Sequence, residues 1–210
     1  AAALRSNGLL YGGFFLWPHV ARFATRRHAR RPVLWRDLAR DLACVALVLA
    51  PMFAVDWYGR ALYCSDGSAR PYCASWLPAF YSFIQQHYWN QGFLRYWTLQ
   101  QLPNFALASP MVLLCTVACI DAIRERGFVE RAHAPHVLLL AFMVLLALFS
   151  THIQTLTRFV SANPVVYWYA GRAMHAEEQR GWRRAPSVVL YFVAYSVTGT
   201  VLFSAFYPWT

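Results

Sequence analysis

The chain has 210 residues, 59% of them hydrophobic and only 13% charged, with a formal net charge of +10. That balance is poor material for a water-soluble domain and excludes an acidic or disordered class. Every one of the 19 basic residues is arginine, and they cluster in short connections between apolar runs, which argues against nucleic-acid binding.

Taken in order, residues 9–20 read as the tail of a span entering the cytosol, followed by a connection carrying Arg22, Arg26, Arg27, Arg30, Arg31, Arg36 and Arg40. Residues 42–58 return across the bilayer, with Pro51 as an expected kink, and 59–103 form a large lumenal loop. Residues 104–120 cross back to a second basic connection with Arg124, Arg126 and Arg131. Residues 137–153 cross again. For the third basic connection, 171–185, to face the cytosol, 156–170 must also cross, although it holds Arg158, Asn163 and Pro164 and admits a re-entrant or broken helix. Residues 186–207 carry no charge over the roughly 20 residues that a bilayer crossing needs. The expectation is an all-α, polytopic membrane helix bundle of about five spans, one membrane domain over 1–210.

Within the lumenal loop, Cys64 and Cys73 stand nine apart with Gly67, Ser68 and Pro71 between them. The spacing and the oxidising lumen favour a disulfide, two free thiols being the main alternative. Cys44, Cys115 and Cys119 fall inside spans as small packing residues. No Gly-rich phosphate loop, HExxH, CxxC or GxSxG pattern is present, and nothing suggests a metal or a cofactor.

The densest signal is the run from Gln86 through His87, Tyr88, Trp89, Asn90, Gln91, Gly92, Phe93, Leu94, Arg95, Tyr96, Trp97, Thr98, Leu99, Gln100, Gln101, Leu102, Pro103 and Asn104 to Phe105. At helical spacing His87, Gln91, Arg95, Thr98 and Gln101 share one stripe and Trp89, Phe93, Tyr96 and Leu99 another, which predicts an amphipathic lumenal helix lying in the membrane interface. This block resembles that of the GPI mannosyltransferase 2 family, enzymes of the endoplasmic-reticulum membrane. Arg5-Ser6-Asn7-Gly8, His152-Ile153-Gln154, Thr157-Arg158-Phe159 and the closing Pro208-Trp209-Thr210 fit the same family, in its order.

The resemblance implies a GT-C-like fold. It implies transfer of the second mannose, in α-1,6 linkage, from dolichyl-phosphate-mannose to the GPI precursor glycolipid at the lumenal side, with no metal required. It leaves room for a small membrane accessory subunit as a partner. The chain opens at Ala1 inside an apolar run and aligns with the family's C-terminal half, so it reads as the C-terminal portion of a longer chain. An inverting transfer needs a carboxylate at the acceptor hydroxyl. Of the nine acids only Asp56 and Asp66 fall on the lumenal side. Asp66 sits in a turn where aspartate caps its own backbone, and Asp56 is a weak catalytic candidate, so the base is expected upstream of this chain.

Candidate substrate-binding residues are Arg158, His152, Gln154, Arg95, His87, Trp89 and Asn90. Arg158 offers a forked donor to a membrane-held phosphate, or serves as an interfacial anchor. Arg95 and the aromatic rings stack on a sugar or anchor the segment. Arg60, just outside a span, reads as solvated. A non-catalytic membrane scaffold or accessory subunit for lipid-linked glycan synthesis is the alternative reading.

Overall fold

The computed structural model describes residues 6–24, 35–64, 72–74, 80–179 and 187–205, whose regular elements are all helices, with no strand among them. Arg5, the basic residues of 25–34, Asp66, Arg180, Arg183, Arg184 and the closing 208–210 lie outside the described residues. The helices are α1 Gly12–Ala24, α2 Trp35–Tyr63, α3 Phe80–His87, α4 Leu102–Ile123, α5 Ala134–Phe149, α6 Leu156–Val160, α7 Pro164–Gln179 and α8 Ser187–Ser204. Two helical stretches, Trp35–Tyr63 and Leu99–Ile123, are long and apolar enough to cross a bilayer, and two shorter apolar ones cover Ala134–Phe149 and Val188–Leu202. Pro51 lies inside α2, which continues past it as one helix.

The chain divides into two compact units. The first comprises Ala1–Thr98, Arg126–Pro135 and Phe149–Thr151. Here α1 lies along α2: Gly12 is buried against the side chain of Val45, and His19 Nε2 is 2.9 Å from Asp41 Oδ2. Both partners are buried, just ahead of the apolar run that begins at Leu42. Asp41 Oδ1 also accepts Arg40 Nε at 3.1 Å, so both carboxylate oxygens are engaged. A buried carboxylate is stable only with such partners, so the pair fixes where α1 meets α2.

Beyond the apolar part of α2, Cys64 and Cys73 are joined in a disulfide, with Cα atoms 5.7 Å apart. The closed loop holds Tyr72 at 6% exposure, edge-on to Phe80 at 5.3 Å and tilted against Phe83 at 5.1 Å. The disulfide thus places an aromatic anchor over the short helix α3.

The second unit comprises Leu99–Glu125, His136–Leu148 and His152–Thr210. Its core is built on a stripe of small residues of α4, Ala108, Cys115, Ala118, Cys119 and Ala122, all buried. Small side chains let helices approach closely where lipid and protein are equally apolar. Val137, Leu140, Met143 and Val144 of α5 and Ile153, Leu156, Val160 and Val165 complete the core. Arg172 of α7 spreads its fork over two acids, Nη2 to Asp121 in the last turn of α4 at 2.8 Å and Nη1 to Glu125 just past the end of that helix at 2.9 Å.

No single helix covers 156–170. A 3₁₀ turn at Ile153–Thr155 leads into α6, the chain breaks at 161–163, and α7 restarts at Pro164 and runs to Gln179. The connection expected to begin at residue 171 is therefore helical through its first half. The break has a local cause. Asn163 is 3% exposed, its Oδ1 accepts the Val165 N–H at 3.0 Å, and its Nδ2 donates to the His136 carbonyl at 3.2 Å. Asparagine at the cap, proline at the first helical position and a satisfied amide at the second start a new helix.

Two expectations follow. Asn163→Ala removes the cap and leaves the His136 carbonyl without its donor, so thermal unfolding in detergent should report a loss of about 1–3 kcal/mol. Alkylation should reach Cys64 and Cys73 only after reduction, and Cys73→Ser should cost about 2–3 kcal/mol for a loop of this size. Ready alkylation of both thiols without reductant would contradict the bridge.

Candidate functional site

The conspicuous block does not form the interface helix its periodicity suggests. α3 ends at His87, the chain from 88 to 98 is a series of turns, a 3₁₀ turn covers Leu99–Gln101, and α4 begins at Leu102. Asn90 and Leu94 have φ of 48° and 56°, the left-handed region that an α-helix excludes. The physical reason lies in the hydrogen bonds. The Leu94 N–H donates to the Phe149 carbonyl at 2.6 Å and the Gly92 N–H to the Ser150 carbonyl at 3.2 Å. These carbonyls lie at and just past the end of α5, where the helix has no N–H donors of its own left to offer them. The Phe93 ring stacks on Phe149 at 6.1 Å, reinforcing the same junction.

With the backbone fixed this way, side chains that would have alternated between lipid and protein stand outward together. Trp89 is 59% exposed, Phe93 74% and Trp97 55%, with Asn90 and Arg95 exposed beside them. Arg95 lies over Gly92: a Cβ there would fall 2.8 Å from Arg95 Cδ. Glycine is therefore what lets the guanidinium stem fold back across the turn. His87 stacks on Phe83 at 5.2 Å and meets Tyr88 edge-on at 5.0 Å. The first unit thus gathers His87, Trp89, Asn90 and Arg95 on one short segment: aromatic faces, an amide and a charged donor, the set that binds a polyhydroxylated ligand or a headgroup.

The other three candidates lie in the second unit. His152 is extended at the entrance to the 3₁₀ turn, and its carbonyl accepts both the N–H (2.9 Å) and the hydroxyl (2.7 Å) of Thr155. The Gln154 carbonyl accepts the Thr157 hydroxyl at 3.1 Å. Ile153, Leu156 and Val160 point into the core, which leaves Arg158 exposed on the opposite side of α6. The α-helix of this segment begins only at Leu156, and His152 precedes it. The same unit holds a cavity of about 290 Å³ between Leu113, Leu114 and Val117 of α4, Tyr169 of α7 and Val188 and Tyr191 of α8. Its uncharged walls suit an apolar chain rather than a sugar.

Asp56, the weak catalytic candidate, is 6% exposed, with Oδ1 accepting the Phe80 N–H and Oδ2 accepting Arg60 Nε, both at 2.8 Å. Arg60 is accordingly half-buried and paired, not solvated as its position suggests. The i,i+4 spacing of Asp56 and Arg60 could have revealed this pair in the sequence. The acceptor role toward Phe80, 24 residues away, had no local signal. Among the described residues no group of three or more His, Cys, Asp or Glu could hold a metal ion.

The sequence matches the family described as mannosyltransferase (PIG-V) over residues 1–129 and 120–210. GPI mannosyltransferase 2 of Drosophila pseudoobscura pseudoobscura is 40% identical, the alignment covering 98% of this chain and 54% of that protein. GPI mannosyltransferase 2 of Chaetomium globosum is 34% identical over 99% of this chain and 49% of its own length. GPI alpha-1,6-mannosyltransferase 2 of Mus musculus is 27% identical over 100% and 60% respectively. The chain thus spans about half the length of the curated relatives it matches first. No solved structure matches it. With two helices fit to cross a bilayer and a family match running from its first residue to its last, the chain is membrane protein in character and belongs to the mannosyltransferase (PIG-V) family.

Proposed function

We propose that this chain contributes to a membrane mannosyltransferase that moves the second mannose, in α-1,6 linkage, from dolichyl-phosphate-mannose to the GPI precursor glycolipid. The observation that carries the reading is the family match along the whole chain, to relatives named for GPI mannose transfer. The reaction takes place at the lumenal face of the endoplasmic reticulum, in a GT-C-like bundle to which this chain gives about five spans, with 59–103 on the lumenal side.

The division of labour follows from the chemistry. Transfer with inversion needs a carboxylate that can reach the acceptor hydroxyl. Asp56 is buried and doubly engaged, so this chain supplies binding groups rather than the base. Trp89, Asn90, Arg95 and His87 present stacking faces and hydrogen-bond donors to the sugar-bearing acceptor. Arg158, exposed where the 3₁₀ turn passes into α6, offers a forked cation to the donor's phosphate, with His152 and Gln154 on the approach to it.

Arg158→Ala in the full-length protein, expressed in cells that lack the second mannosyltransferase, tests this assignment. Loss of one charge-assisted contact, about 1.5–3 kcal/mol, should slow transfer roughly ten- to a hundredfold and lower surface GPI-anchored proteins. Arg126→Ala, an equally exposed arginine in the connection before α5, should rescue fully. Equal rescue by both would remove Arg158 from the site.

A further inference from the structure

We infer that Asp56 is a positioning residue: it fixes the head of α3 and thereby sets His87 and Trp89 for the acceptor, and it does not take the acceptor's proton. The inference rests on the transferase reading above for its activity readout and on geometry for the rest.

The geometry is a single stripe of α2. Asp56, Gly59 and Tyr63 follow one another at i, i+3 and i+7, so all three face the same side of the helix. Each meets Phe80, the first described residue of α3. The Asp56 carboxylate accepts its N–H at 2.8 Å. At Gly59 a Cβ would fall 3.1–3.2 Å from the Phe80 ring, so bare backbone is what allows α3 to sit flush. The Tyr63 ring stacks on that of Phe80 at 6.3 Å and 11°. From the far side Tyr72, held by the disulfide, closes over the same ring.

α3 needs this grip. A helix of eight residues is far below the length at which a helix is stable alone, so its direction is set by what holds its ends. Its first amides lack intrahelical acceptors, and a carboxylate there meets both the hydrogen-bond need and the positive end of the helix dipole. At the other end, Phe83 stacks on His87, and the turn segment with Trp89 follows directly. A shift at Phe80 is therefore delivered to the ligand-facing residues one helix later. A proton acceptor, by contrast, must leave an oxygen open to approach by substrate at about 2.6–3.2 Å. The Asp56 oxygens face Phe80 and Arg60 instead, in a residue that is almost fully buried.

The test uses the full-length protein in detergent or nanodiscs, with transfer kinetics and amide hydrogen exchange measured on the same preparations. In Asp56→Asn the amide oxygen still accepts the Phe80 N–H while the ion pair with Arg60 is lost, so the grip on α3 survives and kcat should stay within about threefold of wild type. Asp56→Ala should raise KM for the glycolipid acceptor about tenfold with a smaller change in kcat, and speed exchange of the α3 amides about tenfold while leaving α7 unchanged. Gly59→Ala, which leaves the carboxylate in place, should raise KM in the same direction. The proposal is overturned if Asp56→Asn loses about a thousandfold in kcat with α3 still protected, the signature of a lost base. It is equally overturned if Asp56→Ala leaves α3 exchange unchanged. Absence of turnover in the wild-type protein would sink the transferase reading alone, because the exchange measurement still decides whether Asp56 sets α3.

Discussion

Two backbone hydrogen bonds, from the amides of Gly92 and Leu94 to the carbonyls of Ser150 and Phe149, constrain much of what this chain can present. A helix that ends in or beside a bilayer leaves carbonyls that water cannot reach, and each unsatisfied group costs about 1–3 kcal/mol. The donors here come from a segment that gives up its own helix to supply them. In a continuous helix the same amides would bond to the carbonyls of Tyr88 and Asn90. Placing Leu94 in the left-handed region costs about 1–2 kcal/mol, which closing the end of α5 offsets.

That choice decides the character of the candidate site. A helix would have sorted Trp89 and Phe93 onto one stripe and His87, Gln91 and Arg95 onto another. The turn instead leaves Trp89, Asn90, Phe93 and Arg95 exposed on one short segment. Aromatic rings beside amide and guanidinium donors match a sugar, which has apolar faces and hydroxyl edges. The segment is held from both sides: α5 anchors its middle, and α3, pinned to α2 and packed against Tyr72, anchors its start. A segment held in this way gains on binding a ligand, because little ordering remains to be done.

The helical class was legible because uncharged runs are what a helix in lipid requires, and α2, α4, α5 and α8 carry most of the described residues in the stretches 42–58, 104–120, 137–153 and 186–207. Family membership was legible for a different reason: the aromatic and amide block is too unusual to arise by chance. Its conformation was not legible. Periodicity at 3.6 residues reports which side chains could share a face, and it says nothing about a distant carbonyl that competes for an amide. Asn163-Pro164-Val165 is the opposite case. Cap, proline and amide are all local, so the break that the sequence admits within 156–170 could have been placed at Asn163 directly. Arg60 was misjudged because proximity to a span end was weighed above the acid one turn before it.

The conformation at Asn90 offers the most direct test, since the two accounts order the same pair of variants oppositely. In an interface helix, Asn90→Gly would be less stable than Asn90→Ala by about 0.5–1 kcal/mol, the ordinary helix cost of glycine. At φ of 48° the order reverses, because glycine adopts that region freely and alanine is disfavoured there by about 1 kcal/mol. Thermal unfolding of the two purified variants should therefore show Asn90→Gly melting at the higher temperature. A higher Tm for Asn90→Ala would contradict the turn, and with it the construction of the site.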